Sequence, residues 1–265
     1  MKALILAAGM GKRLKPITDR IPKTLIKIED KPILGHILDN VKKCGIDDVV
    51  IVTGYKHGLI KNYVGDGKKW GLRVNYCFNK WYAKTENILS VKLASDELLG
   101  DDFVLINADD LFSPMILWRL IEAGGDIVLA VDGEGTVGTE EMKVRTDRNG
   151  IIKGVSKKLD PDESFGEDIG VMKFSVDGGK AFLQAINEVI ENRGPYFYFQ
   201  EALDYLTTKE YPITYVNIED EPWIEIDDHF DLKWAKTPII HMILDRFKAL
   251  RKRIGSIRRR KAKSL

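Results

Sequence analysis

The chain has 265 residues, with 41 Lys+Arg against 40 Asp+Glu, four His, two Cys and a formal charge of +1. That length fits one large α/β domain or two small ones, and a composition 44% hydrophobic and 31% charged excludes global disorder and a collagen- or mucin-like chain. Cys44 and Cys77 cannot form a disulfide framework, so a reducing cytoplasm is expected. No apolar run reaches the roughly 18–20 residues of a spanning helix. The N-terminal MKALILAAGMGKR reads as a strand rather than a signal peptide, because no cleavage region follows its apolar run.

The near-zero charge is a cancellation. Residues 239–265 hold ten Lys/Arg and one acid, Asp245, for a net +9, which leaves −8 on residues 1–238. The chain therefore divides into an acidic body, residues 1–236, and a basic tail, residues 237–265.

In chain order, the predicted strands are Ala3–Leu6, Leu25–Ile28, Val49–Thr53, Leu72–Cys77, Phe103–Asn107 and Ile127–Val131. Helices are expected at Ile33–Cys44, His57–Val64, Glu86–Leu98 and Pro114–Ala123. Short apolar strands separated by helices of this length predict β-α-β units and a mainly parallel sheet covered on both faces. After Val131 the strands come closer together, at Met142–Thr146, Ile151–Ser156 and Gly170–Ser175, with a hairpin turn at Asp147-Arg148-Asn149-Gly150. Helices Gly178–Asn192 and Phe199–Thr207 and strands Ile213–Val216 and Trp223–Ile226 complete the body. This is an α/β chain with a mainly parallel, Rossmann-like sheet and a mixed second half.

The first strand runs into Ala7-Ala8-Gly9-Met10-Gly11-Lys12-Arg13-Leu14. A glycine loop there lies at the carboxyl end of a strand, where α/β sheets bind nucleotides. It is neither a Walker A loop, whose glycines stand further apart, nor a dinucleotide fingerprint, because Leu14 takes the place of the third glycine. Lys12, Arg13, Lys15, Arg20 and Lys23 follow, a set of bases suited to a polyphosphate, while Pro16 and Pro22 restrict the backbone.

The stretch LAAGMGKRLKPIT…PKTL resembles the signature L-A-A-G-x-G-x-R-L-x-P-x-T…P-K-x-L of nucleotidyltransferases that activate sugar phosphates and phospho-alcohols. The resemblance implies a nucleotidyltransferase catalytic domain over residues 1–236. It also implies that the loop from Leu6, Ala7 and Ala8 through Gly9, Gly11 and Lys12 wraps a nucleoside triphosphate. Arg13 would hold the β- and γ-phosphates, and Lys23 would stabilise charge on the α-phosphate.

Transfer between two anions calls for a cation, and Mg²⁺ favours a few carboxylates with phosphate oxygens and water. Asn107-Ala108-Asp109-Asp110 ends an apolar strand, where an acid faces the ligand crevice. On residue pattern alone either Asp serves, and Asp110 could instead cap the helix that begins near Ser113. Alternation along Trp223-Ile224-Glu225-Ile226-Asp227-Asp228 puts Trp223, Glu225 and Asp227 on one face, with Asp228 starting a helix. The resemblance implies Asp109 and Asp227 as the Mg²⁺ ligands.

Before the metal strand, Phe78 to Ser90 lacks the G-T-A-type stretch common among sugar-1-phosphate enzymes. Asn79, Tyr82, Asn87 and Ser90 instead fall on the pattern of the phosphocholine cytidylyltransferase-like branch, which is related to inositol-1-phosphate cytidylyltransferases. Glu140–Val144, Gly154–Leu159 and Gly166–Val171 extend the similarity. The branch implies CTP, with Asn87 on the nucleotide and Tyr82, Lys157, Glu167, Trp223 and Glu225 on a phosphorylated small-molecule acceptor of the phosphocholine or inositol-1-phosphate class. Trp81, Tyr82, Tyr196, Tyr198 and Trp223 could supply rings, and Glu141, Glu167 or Glu225 the charge, for a quaternary ammonium. The alternatives are a sugar-1-phosphate enzyme using UTP or dTTP, and a non-catalytic nucleotide-sensing subunit.

In the tail, Ile243, Phe247, Leu250, Ile254 and Ile257 form one apolar stripe of a basic amphipathic helix. Such a helix fits an anionic membrane surface or a membrane enzyme at the inner membrane face, the acidic body itself, or a homodimer contact. Nucleic acid is not expected, because Phe247 is the tail's only stacking ring.

Overall fold

The computed structural model describes residues 1–133, 137–236, 240–243, 245 and 246. Strand β1 (Lys2–Ala7) leads through short turns to a two-stranded ribbon, β2 (Lys27–Ile28) and β3 (Lys31–Pro32). Then come α1 (Ile33–Lys43), β4 (Asp48–Thr53), α2 (His57–Val64), β5 (Arg73–Phe78), α3 (Asn87–Leu93), α4 (Ser95–Leu98) and β6 (Phe103–Asn107). The second half holds β7 (Asp110–Phe112), α5 (Pro114–Glu122), β8 (Ile127–Asp132), β9 (Lys143–Thr146), β10 (Ile152–Ser156) and β11 (Gly166–Phe174). It ends with α6 (Val176–Arg193), α7 (Gln200–Thr208), β12 (Ile213–Asn217), β13 (Trp223–Glu225) and α8 (His229–Ala235).

The main sheet runs β10-β9-β11-β6-β1-β4-β5, with β8 beside β11 and β12 beside β8. β6, β1, β4 and β5 are parallel, and β11 runs antiparallel to β6, β8 and β9, giving the expected parallel half and mixed half. Because side chains alternate along a strand, Ala3 and Ile5 enter one core layer with α1 and α5, while Leu4 enters the other with α3, α6 and α7. The Asp147–Gly150 turn joins β9 to β10 as predicted; Asp147 Oδ1 accepts the N–H groups of Asn149 and Ile151 at 2.9 and 3.0 Å.

Most boundaries shift by one or two residues and the short strands β3 and β7 were not expected, while three elements depart further from the sequence reading. Leu25–Ile28 does not join the main sheet: residues 23–25 form a 3₁₀ turn, and Lys27–Ile28 pairs with Lys31–Pro32 across Glu29, whose φ is 56°. The helix expected over Glu86–Leu98 divides at Ala94. Strand β11 begins four residues before the expected Gly170, because its register against β8 shifts between Asp168 and Met172 and the strand continues through this irregularity.

Most of the predicted tail helix lies outside the described residues. Of the apolar stripe, Ile243 is described and buried, as is Ile240, both in the layer of α1 and α5. Arg246 donates to Asp220 O at 2.9 Å and lies 3.5 Å from the Glu221 carboxylate. Glu221 is itself buried, accepting from Ser113 Oγ at 2.7 Å and Arg119 at 3.1 Å. The first turn of the tail therefore docks on the body. No helix among the described residues is long and apolar enough to cross a membrane.

Phe174 on β11 stacks between Phe103 and Phe182, with ring centroids 4.7 and 4.5 Å away. Phe174→Ala is expected to cost about 3–5 kcal/mol through lost burial and the resulting cavity, read as a lower urea midpoint at unchanged slope.

Candidate active site

β1 ends at Ala7 in the middle of the parallel half, and the loop that follows bends back over residues 18–25. Gly11 sits at φ 59°, and a Cβ there would stand 2.9 Å from Lys23 Cβ, so glycine is what lets the loop close over Lys23. Thr18 Oγ1 donates to Gly11 O at 2.9 Å and Tyr55 Oη to Thr18 O at 2.7 Å, which holds the far side. Gly9 has no atom within 4 Å of its would-be Cβ and borders open space.

A small antiparallel ribbon outside the main sheet brings together two acids 118 residues apart in the chain. β13 pairs with β7, Glu225 opposite Asp110, and the Ile226 N–H donates to Asp109 O at 3.1 Å. Asp109 and Asp227 thereby reach the same ammonium: Lys23 Nζ lies 2.7 Å from each. Arg13 makes a second ion pair with Asp227. Burial by itself would lower the Lys23 pKa, but its two carboxylate partners outweigh this and hold it above the ordinary lysine range. Burial would likewise raise Asp227, yet Lys23 and Arg13 keep it below the usual carboxylate range. Asp231 fixes the Asp227 backbone, accepting the N–H groups of Asp227 and Asp228 at 2.9 Å each within the capping box that starts α8.

Asp109, Glu225 and Asp227 each offer one carboxylate oxygen, all within 4.8 Å of one another. An all-oxygen acidic set of this kind fits Mg²⁺.

From these acids a cleft of about 1180 Å³ extends to a wall bearing Asp132, Glu140, Glu141, Glu167 and Glu225. Burial, then Glu141 and Glu225, push Glu167 up to about 8. Loss of hydration between the cleft walls, then Asp109 and Asp227, raise Glu225 to about 7 even though its side chain opens on the cleft. On the floor, Asp168 is raised by burial to about 6 while accepting from Gln200 Nε2 at 3.0 Å and Gly170 N at 3.2 Å. Trp223 Nε1 donates to Asp132 Oδ2 at 2.7 Å, and Lys157 Nζ lies 5.3 Å from the Tyr198 ring centroid.

The residues to which the resemblance gives a role line this one cleft. Leu6, Ala7, Ala8, Gly9, Gly11, Lys12, Arg13 and Lys23 form the end nearest β1, with Asn87 and Tyr82 beside them, and Asp109 and Asp227 meet at Lys23. Lys157, Glu167, Trp223 and Glu225 complete the lining. Lys15, Arg20, Trp81 and Tyr196 are not among the lining residues, and Lys15 pairs with Asp19 at 3.3 Å. Two motif residues act structurally: buried Asn79 donates to Ser90 Oγ at 3.1 Å, and Asn87 Oδ1 accepts the Phe199 N–H at 2.9 Å. Asp110 does not cap a helix; Ser113 does, accepting the Met115 N–H. Asp110 is instead 1% exposed and pushed well above the carboxylate range by burial, then by Asp109 and Glu225.

Sequence reasoning missed Asp231, Asp132 and the Asp168–Gln200 pair. Asp231 follows Asp228 at capping-box spacing, and Asp132 ends a predicted strand just as Asp109 nearly does. The Asp168–Gln200 contact has no local signal.

A parallel α/β sheet carrying a glycine loop, basic residues and paired acids at its strand ends defines a nucleotide-handling protein. The profile of the nucleotidyl transferase family matches residues 2–141, more than half of the chain, and the chain belongs to that family. It is 29% identical over 248 residues to the CMP-5'-(3-aminopropyl)phosphonate synthase of Streptomyces rubellomurinus, covering 89% of this chain and 38% of that protein. It is 34% identical over 158 residues to a glucose-1-phosphate thymidylyltransferase of Streptomyces antibioticus, covering 53% of this chain and 44% of that one. The chain thus spans less than half the length of either relative. The inositol-1-phosphate CTP transferase structure from T. maritima superposes with a TM-score of 0.76 at 21% identity, covering 93% of this chain and 96% of that one, and so shares its fold.

The raised acids predict a signed pH effect. Glu167, Glu225 and Asp168 release protons near 8, 7 and 6 when folded, against ordinary values of 4.5, 4.5 and 3.8. The folded state binds more protons across that window, so their contribution is complete below the ordinary values and is lost as pH rises through the folded ones. Lys23 and Asp227, shifted to either side, titrate outside it. Without divalent cations, the urea midpoint is expected to fall between about pH 5.5 and 8.5, and to fall less in Glu167→Gln.

Proposed function

We propose that the protein is a Mg²⁺-dependent CTP:phospho-alcohol cytidylyltransferase, moving CMP from CTP to the phosphate of a small alcohol and releasing pyrophosphate. The observation that carries this reading is the Lys23 ammonium, 2.7 Å from both Asp109 and Asp227 beneath the glycine loop. Its neighbours keep it cationic, and in this reading it would meet the charge that builds on the α-phosphate. Arg13, exposed on the same loop, can fork onto the β- and γ-phosphates. Backbone N–H groups from Ala8 to Gly11 can approach phosphate oxygens without obstruction at Gly9.

An oxygen of the acceptor phosphate attacks the α-phosphorus in line. The new P–O bond forms as the bond to the bridging oxygen of the β-phosphate breaks, and pyrophosphate leaves with that electron pair. The acceptor is already an anion, so no side-chain nucleophile is required. Mg²⁺, held by Asp109 and Asp227 with Glu225 in reach, would neutralise triphosphate charge. Lys157, exposed at the cleft beside Tyr198, suits the acceptor's phosphate.

CTP is supported by the Asn79-to-Ser90 pattern and by relatives and neighbours named for CMP or CTP. Among phospho-alcohols, the acidic wall beside Tyr198 and Trp223 favours a cationic head group such as choline over a neutral polyol. The thymidylyltransferase relative supports a second reading, a sugar 1-phosphate with UTP or dTTP. Pyrophosphate release across CTP, UTP and dTTP against phosphocholine, inositol 1-phosphate and glucose 1-phosphate separates them. The highest kcat/KM is expected with CTP and phosphocholine. Turnover confined to UTP or dTTP with the hexose phosphate overturns the proposal, and no turnover at all returns the nucleotide-sensing subunit. Lys23→Met is expected to lower kcat by about 10²–10³ with a smaller change in the KM for CTP.

For the basic tail we propose attachment to an anionic membrane surface. Flotation with anionic liposomes is expected for the full chain and not for a chain ending at Arg246, which keeps the docked turn. Equal flotation of the two would end this assignment.

A further inference from the structure

Lys143 has no part in the proposed chemistry, yet it is 1% exposed. It begins β9 directly opposite Glu167 of β11, and Glu167 is in turn opposite Asp132 of β8. Cross-strand partners share a sheet face, so a lysine here would ordinarily pair with its glutamate. It does not. The Lys143 ammonium donates to the carbonyls of Gly138, Thr139 and Glu141 at 3.2, 3.0 and 3.2 Å. Three carbonyls use all three of its protons. Among the described residues no carboxylate lies within ion-pair distance of it.

The segment it gathers, residues 138–141, belongs to no helix or strand and carries Glu140 and Glu141 into the cleft lining. Glu141 is folded back onto the turn: a Cβ on Gly138 would stand 2.5 Å from its Oε2. That oxygen is shielded from solvent and has no hydrogen-bond partner among the described residues. Of the charges acting on Glu167, Glu141 is the strongest. The segments carrying the two acids are tied together, the Asp168 N–H donating to Met142 O at 2.8 Å, while the buried Lys143 ammonium between them is committed to the backbone.

We propose that Lys143 is a positioning residue for acceptor specificity: by fixing the 138–141 turn it holds Glu141 beside Glu167, forming an acidic wall for a positive group on the acceptor. This rests on reading the cleft as a phospho-alcohol site. A cationic acceptor relieves the repulsion between the two acids, whereas a neutral polyol leaves it in place.

The test uses the full chain and its Lys143→Met, Gly138→Ala and Glu141→Gln variants, with CTP and either phosphocholine or inositol 1-phosphate. Removing a buried charged donor set is expected to raise the KM for phosphocholine about tenfold in Lys143→Met. The KM for CTP should stay within about twofold, as the triphosphate end of the cleft is untouched. Gly138→Ala, which displaces Glu141 while leaving every charge in place, is expected to act in the same direction. Lys143→Met and Glu141→Gln should be non-additive, and inositol 1-phosphate should respond less than phosphocholine. A parallel rise in both KM values, or additive effects of the pair, overturns the proposal. Hydrogen exchange without ligand decides the anchoring step independently of any acceptor. Amides 138–142 are expected to lose protection in Lys143→Met while those of the glycine loop do not, and unchanged protection at 138–142 refutes the anchor. If the wild-type chain turns over no phosphocholine, the function reading fails, and the exchange result still judges Lys143.

Discussion

The arrangement of the cleft depends on one partly buried ammonium. Lys23 is drawn from water and set between two carboxylates, an arrangement that is stable only because both partners are present. At an effective dielectric of about 20, each charge pair near 4 Å gains roughly 4 kcal/mol, so two partners offset a desolvation cost that one would barely meet. The upward shift of the lysine, against the direction burial favours, shows which effect wins. Three remote segments are fixed by this balance: the loop after β1, the end of β6 and the residues after β13. It also couples ligands, because a triphosphate that draws Arg13 and Lys23 toward its own oxygens would release Asp109 and Asp227 to a metal.

Around that centre the charge of the cleft is uneven. Lys12, Arg13 and Lys23 line the end nearest the glycine loop, while Asp132, Glu140, Glu141 and Glu167 line the other. The polarity matches a reaction whose donor is a polyanion and whose acceptor, beyond its phosphate, presents something the acids can hold. Neither half is visible in a formal charge of +1. Nor does the body's net −8 show that Arg13 and Lys23 gather with Asp109 and Asp227 at one end of the cleft.

The fold was largely legible because its signals are local. Apolar runs such as Phe103–Asn107 were placed to the residue, and the Asp147–Gly150 turn follows from side-chain chemistry within four positions. What escaped was decided by tertiary contact. Lys27–Ile28 has strand-like residues but finds its partner in its own hairpin, and β11 runs through a glycine that in isolation reads as a strand start. In the cleft, motif similarity picked out side chains that line one space, yet the meeting of Asp109 and Asp227 rests on the pairing of β7 with β13, which neither segment encodes alone. Asp110 shows the limit: an acid three residues before a cap position is a reasonable cap until Ser113 takes the role and burial changes its charge preference.

The pairing of β7 with β13 also sets when the cleft can exist during synthesis. Residues 1–222 contain the glycine loop, both cations and Asp109, as well as every strand of the main sheet. A nascent chain at that point has its nucleotide loop but only one of the two acids that restrain Lys23. Asp227 arrives after the rest of the framework, and its contact closes a loop of 204 residues back to Lys23. Long-range closures of this kind form late. The two-acid restraint on Lys23 is therefore a property of the finished body, absent until the last strand is in place.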